Sequence, residues 1–114
     1  MAYNANKDLK LFYSISEVAK MFDVNESLLR YWEKEFPIIS PKKAGHSRQY
    51  RKEDIENIRM VYYLVKEKGM TLAGAKQRLK QSKSAVASDS EIVRRLKVVR
   101  DELARMRQEL DYIT

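Results

Sequence analysis

Arg30 and Lys34 are two cations one helical turn apart, beside Tyr31, Trp32 and Glu33. A guanidinium is a planar fork that can donate two parallel bonds to O6 and N7 of guanine. The same group can instead pair with Glu26 or Glu33 on a helix surface. Asn25 and Ser27 are short hydrogen-bonding side chains just upstream, where a helix start and a backbone phosphate can meet. Asn25 serves equally well as a simple cap. A second cluster follows. From Pro37 to Lys52 there are five Lys/Arg and no acid. Within it Lys42, Lys43, Arg48 and His46 surround a turn at Gly45, either as a solvated basic loop or as cations on a nucleic acid, where Arg48 could lie in or beside a minor groove. Tyr50 either touches phosphate or pins this segment to a core. Trp32 is read as core.

The same inventory excludes other chemistry. The chain has one His, no Cys and three Gly. Thiolate metal sites and disulfides are ruled out, and His46 lacks companion metal ligands. Neither a phosphate-binding loop nor a nucleophilic triad has its parts, so no enzyme and no cofactor are expected.

The charge is unevenly distributed. The formal net charge of the 114 residues is +7. Residues 84–114 carry six Lys/Arg and six Asp/Glu, whereas residues 1–83 carry seventeen and ten, so 17 − 10 = +7 resides in the front part. A polyanion would therefore meet the front and not the tail.

These side chains need elements to hold them. Ser14-Ile15-Ser16-Glu17 has the form of a capping box. Ile15, Val18, Ala19 and Phe22 then recur along one helical face. Asp23-Val24-Asn25 interrupts, and a second short helix runs from Glu26 to about Phe36, with Leu29, Trp32 and Phe36 inward and Pro37 as its stop. Two short helices across a tight turn are the signature of a helix-turn-helix. Residues 38–52 read as two extended stretches around Gly45, a basic hairpin. Ile55, Ile58, Tyr62 and Val65 predict a third helix, closed by Lys68-Gly69. Thr71 caps a fourth helix carrying Leu72, Ala75 and Leu79. Residues 81–88 are small and polar and read as a linker, and Ser88-Asp89-Ser90-Glu91 reads as a second capping box. Beyond it Ile92, Leu96, Val99, Leu103, Met106, Leu110 and Ile113 recur at spacings of 4, 3, 4, 3, 4 and 3. That heptad seam predicts a coiled coil, which needs a partner helix; a helix folded back on its own head is the alternative.

The stretch from Tyr13 to Lys80 resembles the DNA-binding domain of the MerR (mercury-resistance regulator) family of bacterial transcription factors. "YSISEVAKMFDV" is similar to the family's opening helix and turn, "LLRYWEKEF" to its recognition helix, "PKKAGHSRQY" to its wing, and "EDIENIRMVYYLVKEKGMTLAGAKQRL" to the helix pair that follows. The resemblance implies a mainly α winged helix-turn-helix with a small β-hairpin wing and a C-terminal dimerisation helix. It implies that Tyr31 donates its hydroxyl to a phosphate, that the dimer helices run antiparallel, and that promoter DNA is bent and untwisted. The charges do not decide orientation: Glu102 faces Arg107 of the partner in a parallel pair, and Arg95 faces a partner acid in an antiparallel one. Leu28 and Trp32 stand where the family often has Thr and Tyr, and the Gly45–Tyr50 wing is one residue longer than usual. Sensing of a metal or drug finds no support, so a short form without an effector-binding domain is expected.

The organisation expected is an arm over residues 1–12, the winged domain over 13–80, the linker over 81–88 and the dimerisation helix over 89–114. The expected partners are double-stranded DNA at a pseudo-palindromic site, a second copy of the chain, and RNA polymerase indirectly through the promoter. No signal-like or membrane-length apolar run exists, which points by elimination to the cytoplasm, on the nucleoid. The competing reading is a phage or chaperone-type adaptor, in which the same fold contacts protein; the basic wing beside Arg30 separates the two.

Overall fold

Ser14 opens the first helix, α1 (Ile15–Phe22), with the reciprocal bonds its sequence calls for. Its Oγ accepts from the Glu17 amide at 3.2 Å, and its own amide donates to the Glu17 carboxylate at 3.0 Å. Asp23 ends the helix in the left-handed region, at φ 52°. A short polar side chain tolerates that conformation better than most residues. In this computed structural model, which describes residues 11–113, α2 (Glu26–Glu35) follows after three residues. Asn25 caps it through extended backbone geometry alone, with no side-chain cap bond. Residues 1–10, most of the expected arm, and Thr114 lie outside the described residues.

After α2 the chain turns at Pro37 into a two-stranded antiparallel hairpin, β1 (Lys42–Ala44) and β2 (Ser47–Gln49). Gly45 sits at its tip at φ +64°. At the hairpin's base Tyr13 and Tyr50 exchange two backbone hydrogen bonds, each 2.8 Å, which ties the wing to the chain entering α1. Of the apolar run Leu11-Phe12-Tyr13, only Tyr13 is buried; Leu11 and Phe12 are exposed.

The next helix, α3 (Lys52–Tyr62), is started by a residue the sequence reading passed over. Asp54 is buried, and its carboxylate accepts from the Arg51 amide at 2.9 Å. The helix continues into one wide turn over Tyr63–Glu67, in which the Lys68 amide reaches the Tyr63 carbonyl at 2.9 Å. Such π-type turns insert a residue into the helical register. Gly69, at φ +68°, then reverses the chain as its place after Lys68 predicted. Thr71 caps α4 (Leu72–Gln81) by accepting from the Gly74 amide at 3.1 Å.

One core joins these pieces. Val18 and Ala19 of α1, Leu29, Trp32 and Phe36 at α2, Tyr50 below the wing, Ile55, Ile58 and Val61 of α3, and Ala75 and Leu79 of α4 are all buried together. Apolar burial of this kind stabilises at roughly 25 cal/mol per Å². Its geometric effect is to fix α2 by one face and leave the opposite face to solvent. Arg30, Tyr31 and Lys34 occupy that free face.

The final helix departs from the sequence reading. Helix α5 runs unbroken over Lys83–Ile113, so residues 83–88 are helix and not linker, and Ser88 caps nothing. Ser84 and Ser88 are only middling helix formers, but Ala85 and Ala87 are good ones, and tertiary packing adds to them. Val86 and Ser90 are buried against the head, and Ser90 Oγ bonds back to the Ala87 carbonyl at 3.0 Å. Lys97 pairs with Glu67 at 2.9 Å and Arg59 approaches Glu91 at 4.0 Å, fastening α5 to the head. Beyond this the helix leaves the head. Ile92, Leu96, Val99, Leu103, Met106, Leu110 and Ile113 are each at least half exposed.

Candidate nucleic-acid interface

The free face of α2 and the inner face of the wing enclose a groove of about 490 Å³, lined by Arg30, Tyr31, Glu33, Lys34, Lys43 and Arg48. Four cations and one acid therefore line one open concavity. Five of the residues singled out in the sequence meet there, contributed by two elements that are separate in the chain. Arg30 is exposed and rests 3.6 Å from Glu26 one turn back. A surface pair of this kind is worth roughly 0–1 kcal/mol. Arg30 can therefore exchange Glu26 for a base edge or a phosphate at little cost. Tyr31 is exposed, with its ring open to solvent.

Glu33 is the acid in this groove. Its carboxylate accepts from Arg48 Nε at 2.7 Å and lies 3.8 Å from Lys43 Nζ. Arg48, expected as a minor-groove contact, thus lies against α2, with 23% of its side chain exposed. Lys42 and His46 are exposed on the hairpin outside the groove, and Asn25 and Ser27 are exposed at the start of α2.

Tyr50 is corrected. It is fully buried, and its hydroxyl has no hydrogen-bond partner among the described residues, so it cannot touch a phosphate. Of the two roles open to it, the structure selects the pin. Burial, and after it the neighbouring Glu33 charge, push the Tyr50 phenol up from 10.0 to about 12. It stays a neutral core residue at any physiological pH.

On the far side of α2 lies a second cationic border. Lys76 reaches Glu35 at 2.7 Å, and Lys76, Lys80 and Lys83 rim an apolar cleft floored by Phe36, Ile38 and Leu79. The sequence reading missed these lysines. Their spacing of four and three residues was the available signal, masked because a charged helical stripe is usually only a solvated face. Among the described residues no cluster of three or more His or acidic side chains could hold a metal ion, and no helix is long and apolar enough to cross a membrane.

Core, hairpin and groove together define a winged helix-turn-helix, a class built to present one helix face beside a β-hairpin. The family model for the MerR HTH family regulatory protein matches residues 13–82, and the chain belongs to that family. That family is one of helix-turn-helix regulatory proteins. The regulator protein TubY of Clostridium botulinum C phage is 29% identical over 87 residues, which are 75% of this chain and 36% of TubY, so the chain spans about a third of that relative. Two solved structures share the fold. One is a MerR-family transcriptional regulator from Bacillus cereus, at 23% identity and TM-score 0.53 over 91% of this chain and 81% of that one. The other is HiNmlR, a MerR family regulator lacking the sensor domain and solved bound to promoter DNA, at 17% identity and TM-score 0.51 over 90% of this chain and 85% of that one.

Proposed function

We propose that the protein is a sequence-specific reader of double-stranded DNA that acts as a homodimer and regulates transcription. The observation that carries this reading is the open groove in which Arg30, Lys34, Lys43 and Arg48 converge beside Tyr31. In this reading α2 enters the major groove. Arg30 addresses a base edge, and Tyr31, Lys34 and the donors Asn25 and Ser27 address flanking phosphates. Lys42, Lys43 and His46 lie along the backbone on the wing side, and Lys76, Lys80 and Lys83 on the opposite side.

The head comprises residues 13–80 together with the first turns of α5, through Ser90. The exposed seam from Ile92 to Ile113 pairs with a second copy, because a row of large apolar side chains in water is stable only when covered. Two heads on one symmetric rod read a pseudo-palindromic site, and the half-site separation follows from the rod. Regulation by bending or untwisting the promoter spacer fits a reader that spans two half-sites, and RNA polymerase would then sense the DNA and not the protein.

The test is selection of bound fragments from random duplex DNA, followed by titration of the winning site at several salt concentrations. Each neutralised phosphate contributes about −0.9 to the slope of log K against log salt. A steep slope and a two-fold symmetric site are expected. A flat slope with no enriched sequence would overturn the reading in favour of a protein-binding adaptor.

A further inference from the structure

We propose that Glu33 is a positioning residue for DNA selection: it braces the wing against the recognition helix and so ties tight binding to one wing angle. The inference rests on the DNA-reading function above. The hairpin it braces has strands of only three residues each. Hairpins of that size do not hold their own shape in water. The Tyr13–Tyr50 bridge secures only the base.

Nearer the tip, Lys43 and Arg48 are direct cross-strand partners. Two like charges placed opposite each other destabilise a hairpin. An anion between them is needed, and Glu33 supplies it from α2. The two cations are held unequally. Arg48 Nε is 2.7 Å from the carboxylate, with 23% of the side chain exposed; Lys43 Nζ is 3.8 Å away and 65% exposed. Arg48 is therefore the strut, fixed to Glu33. Lys43 is shared, and it can turn outward to a phosphate while the strut holds.

A carboxylate in a DNA-facing groove also repels every phosphate. Glu33 thus lowers affinity for DNA in general while fixing the geometry that a particular site must match. Its removal has opposite consequences for the two kinds of DNA. Arg48 is released to take any phosphate, and one repulsive charge is lost, so random duplex binds more tightly. The wing loses its fixed angle, so the selected site gains less or weakens.

The experiment compares wild type, E33Q, E33A and the charge-swapped double variant E33R/R48E on the selected site and on random duplex of equal length, across a salt series. For E33Q and E33A, the ratio of specific to random affinity is expected to fall roughly tenfold, and the salt slope on random DNA to steepen by about 1, one added phosphate contact. In parallel, amide relaxation by NMR reports order in residues 42–49 of the free protein. These amides become more mobile in E33Q and E33A, and order returns in E33R/R48E together with part of the selectivity. Thermal unfolding read through Trp32 verifies folding; should E33A not fold, the isosteric E33Q carries the comparison. Equal affinity changes on both DNAs, or a hairpin as ordered in E33Q as in wild type, would overturn the brace. Absence of salt-dependent duplex binding by the wild type would instead overturn the DNA-reading function, and the relaxation data would still decide the brace.

Discussion

Tyr50→Phe removes one oxygen from the base of the wing. That hydroxyl is fully buried and has no hydrogen-bond partner among the described residues. A buried polar group left without a hydrogen bond costs roughly 1–3 kcal/mol. The ring and its packing remain, and the void left by one oxygen is small. The expected result at neutral pH is therefore a stabilisation of about 0.5–2 kcal/mol, a rise in Tm of roughly 4–8 °C per kcal/mol for a domain of this size. The effect should grow with alkalinity. Below pH 10 the phenol is protonated in both folded and unfolded chains, so its titration costs nothing. Between 10 and about 12 the unfolded chain releases the proton and the folded chain does not, so wild type loses stability as pH rises. The full loss is on the order of 2–3 kcal/mol, and the variant does not share it. Denaturant unfolding followed by the single Trp32, for both proteins from neutral pH to about 12, measures the two curves. DNA affinity at neutral pH should be unchanged, because the residue lies beneath the wing. A variant less stable than wild type by 1 kcal/mol or more, or one with weakened DNA binding, would refute the reasoning, since either means that the hydroxyl has a partner.

Arg30→Ala should cost roughly 1–3 kcal/mol on the selected site and little on random duplex; equal losses in a titration of both would make Arg30 a phosphate contact. Leu103→Asp puts a charge in the middle of the exposed seam, and sedimentation should then show a monomer against the dimer expected of wild type; an unchanged mass would remove the seam from dimerisation. Glu91 is drawn from 4.5 down to about 2, chiefly by its bond to Arg94 and then by Arg95. Its contribution is present above pH 4.5 and lost as pH falls toward about 2, so unfolding midpoints of wild type and Glu91→Gln should converge across that window; curves that stay parallel would refute the linkage. Gly69→Ala meets no atom within 4 Å, so its cost comes from the positive φ alone, about 1–2 kcal/mol by denaturant unfolding. A neutral result would mean that the turn can relax.

Local rules made much of the molecule legible in advance. The Ser14–Glu17 box, the Leu29–Trp32–Phe36 stripe, the basic turn at Gly45 and the Lys68-Gly69 stop each depend on residues a few positions apart, and each appears where the sequence places it. The heptad seam was equally plain, because its period is a property of the chain and not of its surroundings. The linker over residues 81–88 failed because its serines suggest a loop, and local composition is a weak guide beside packing. Burial of Val86 and Ser90 against the head is stronger, and no local window contains the head. Asp54 escaped notice for a related reason, since an acid that caps a helix and then becomes buried looks like any surface acid in sequence.

The candidate interface divides along the same line. The sequence by itself determined which chemical groups are available: Arg30 and Lys34 on one short helix, a cationic hairpin after it, and a neutral apolar-seamed tail. It could not determine which of those groups face solvent together. That Tyr50 turns into the core, that Arg48 lies on Glu33, and that Lys76, Lys80 and Lys83 border the other side of α2 were settled only when helices distant in sequence packed on one core. Side-chain direction in a short hairpin is fixed by what lies beneath and beside it, and those neighbours come from α1, α2 and α3.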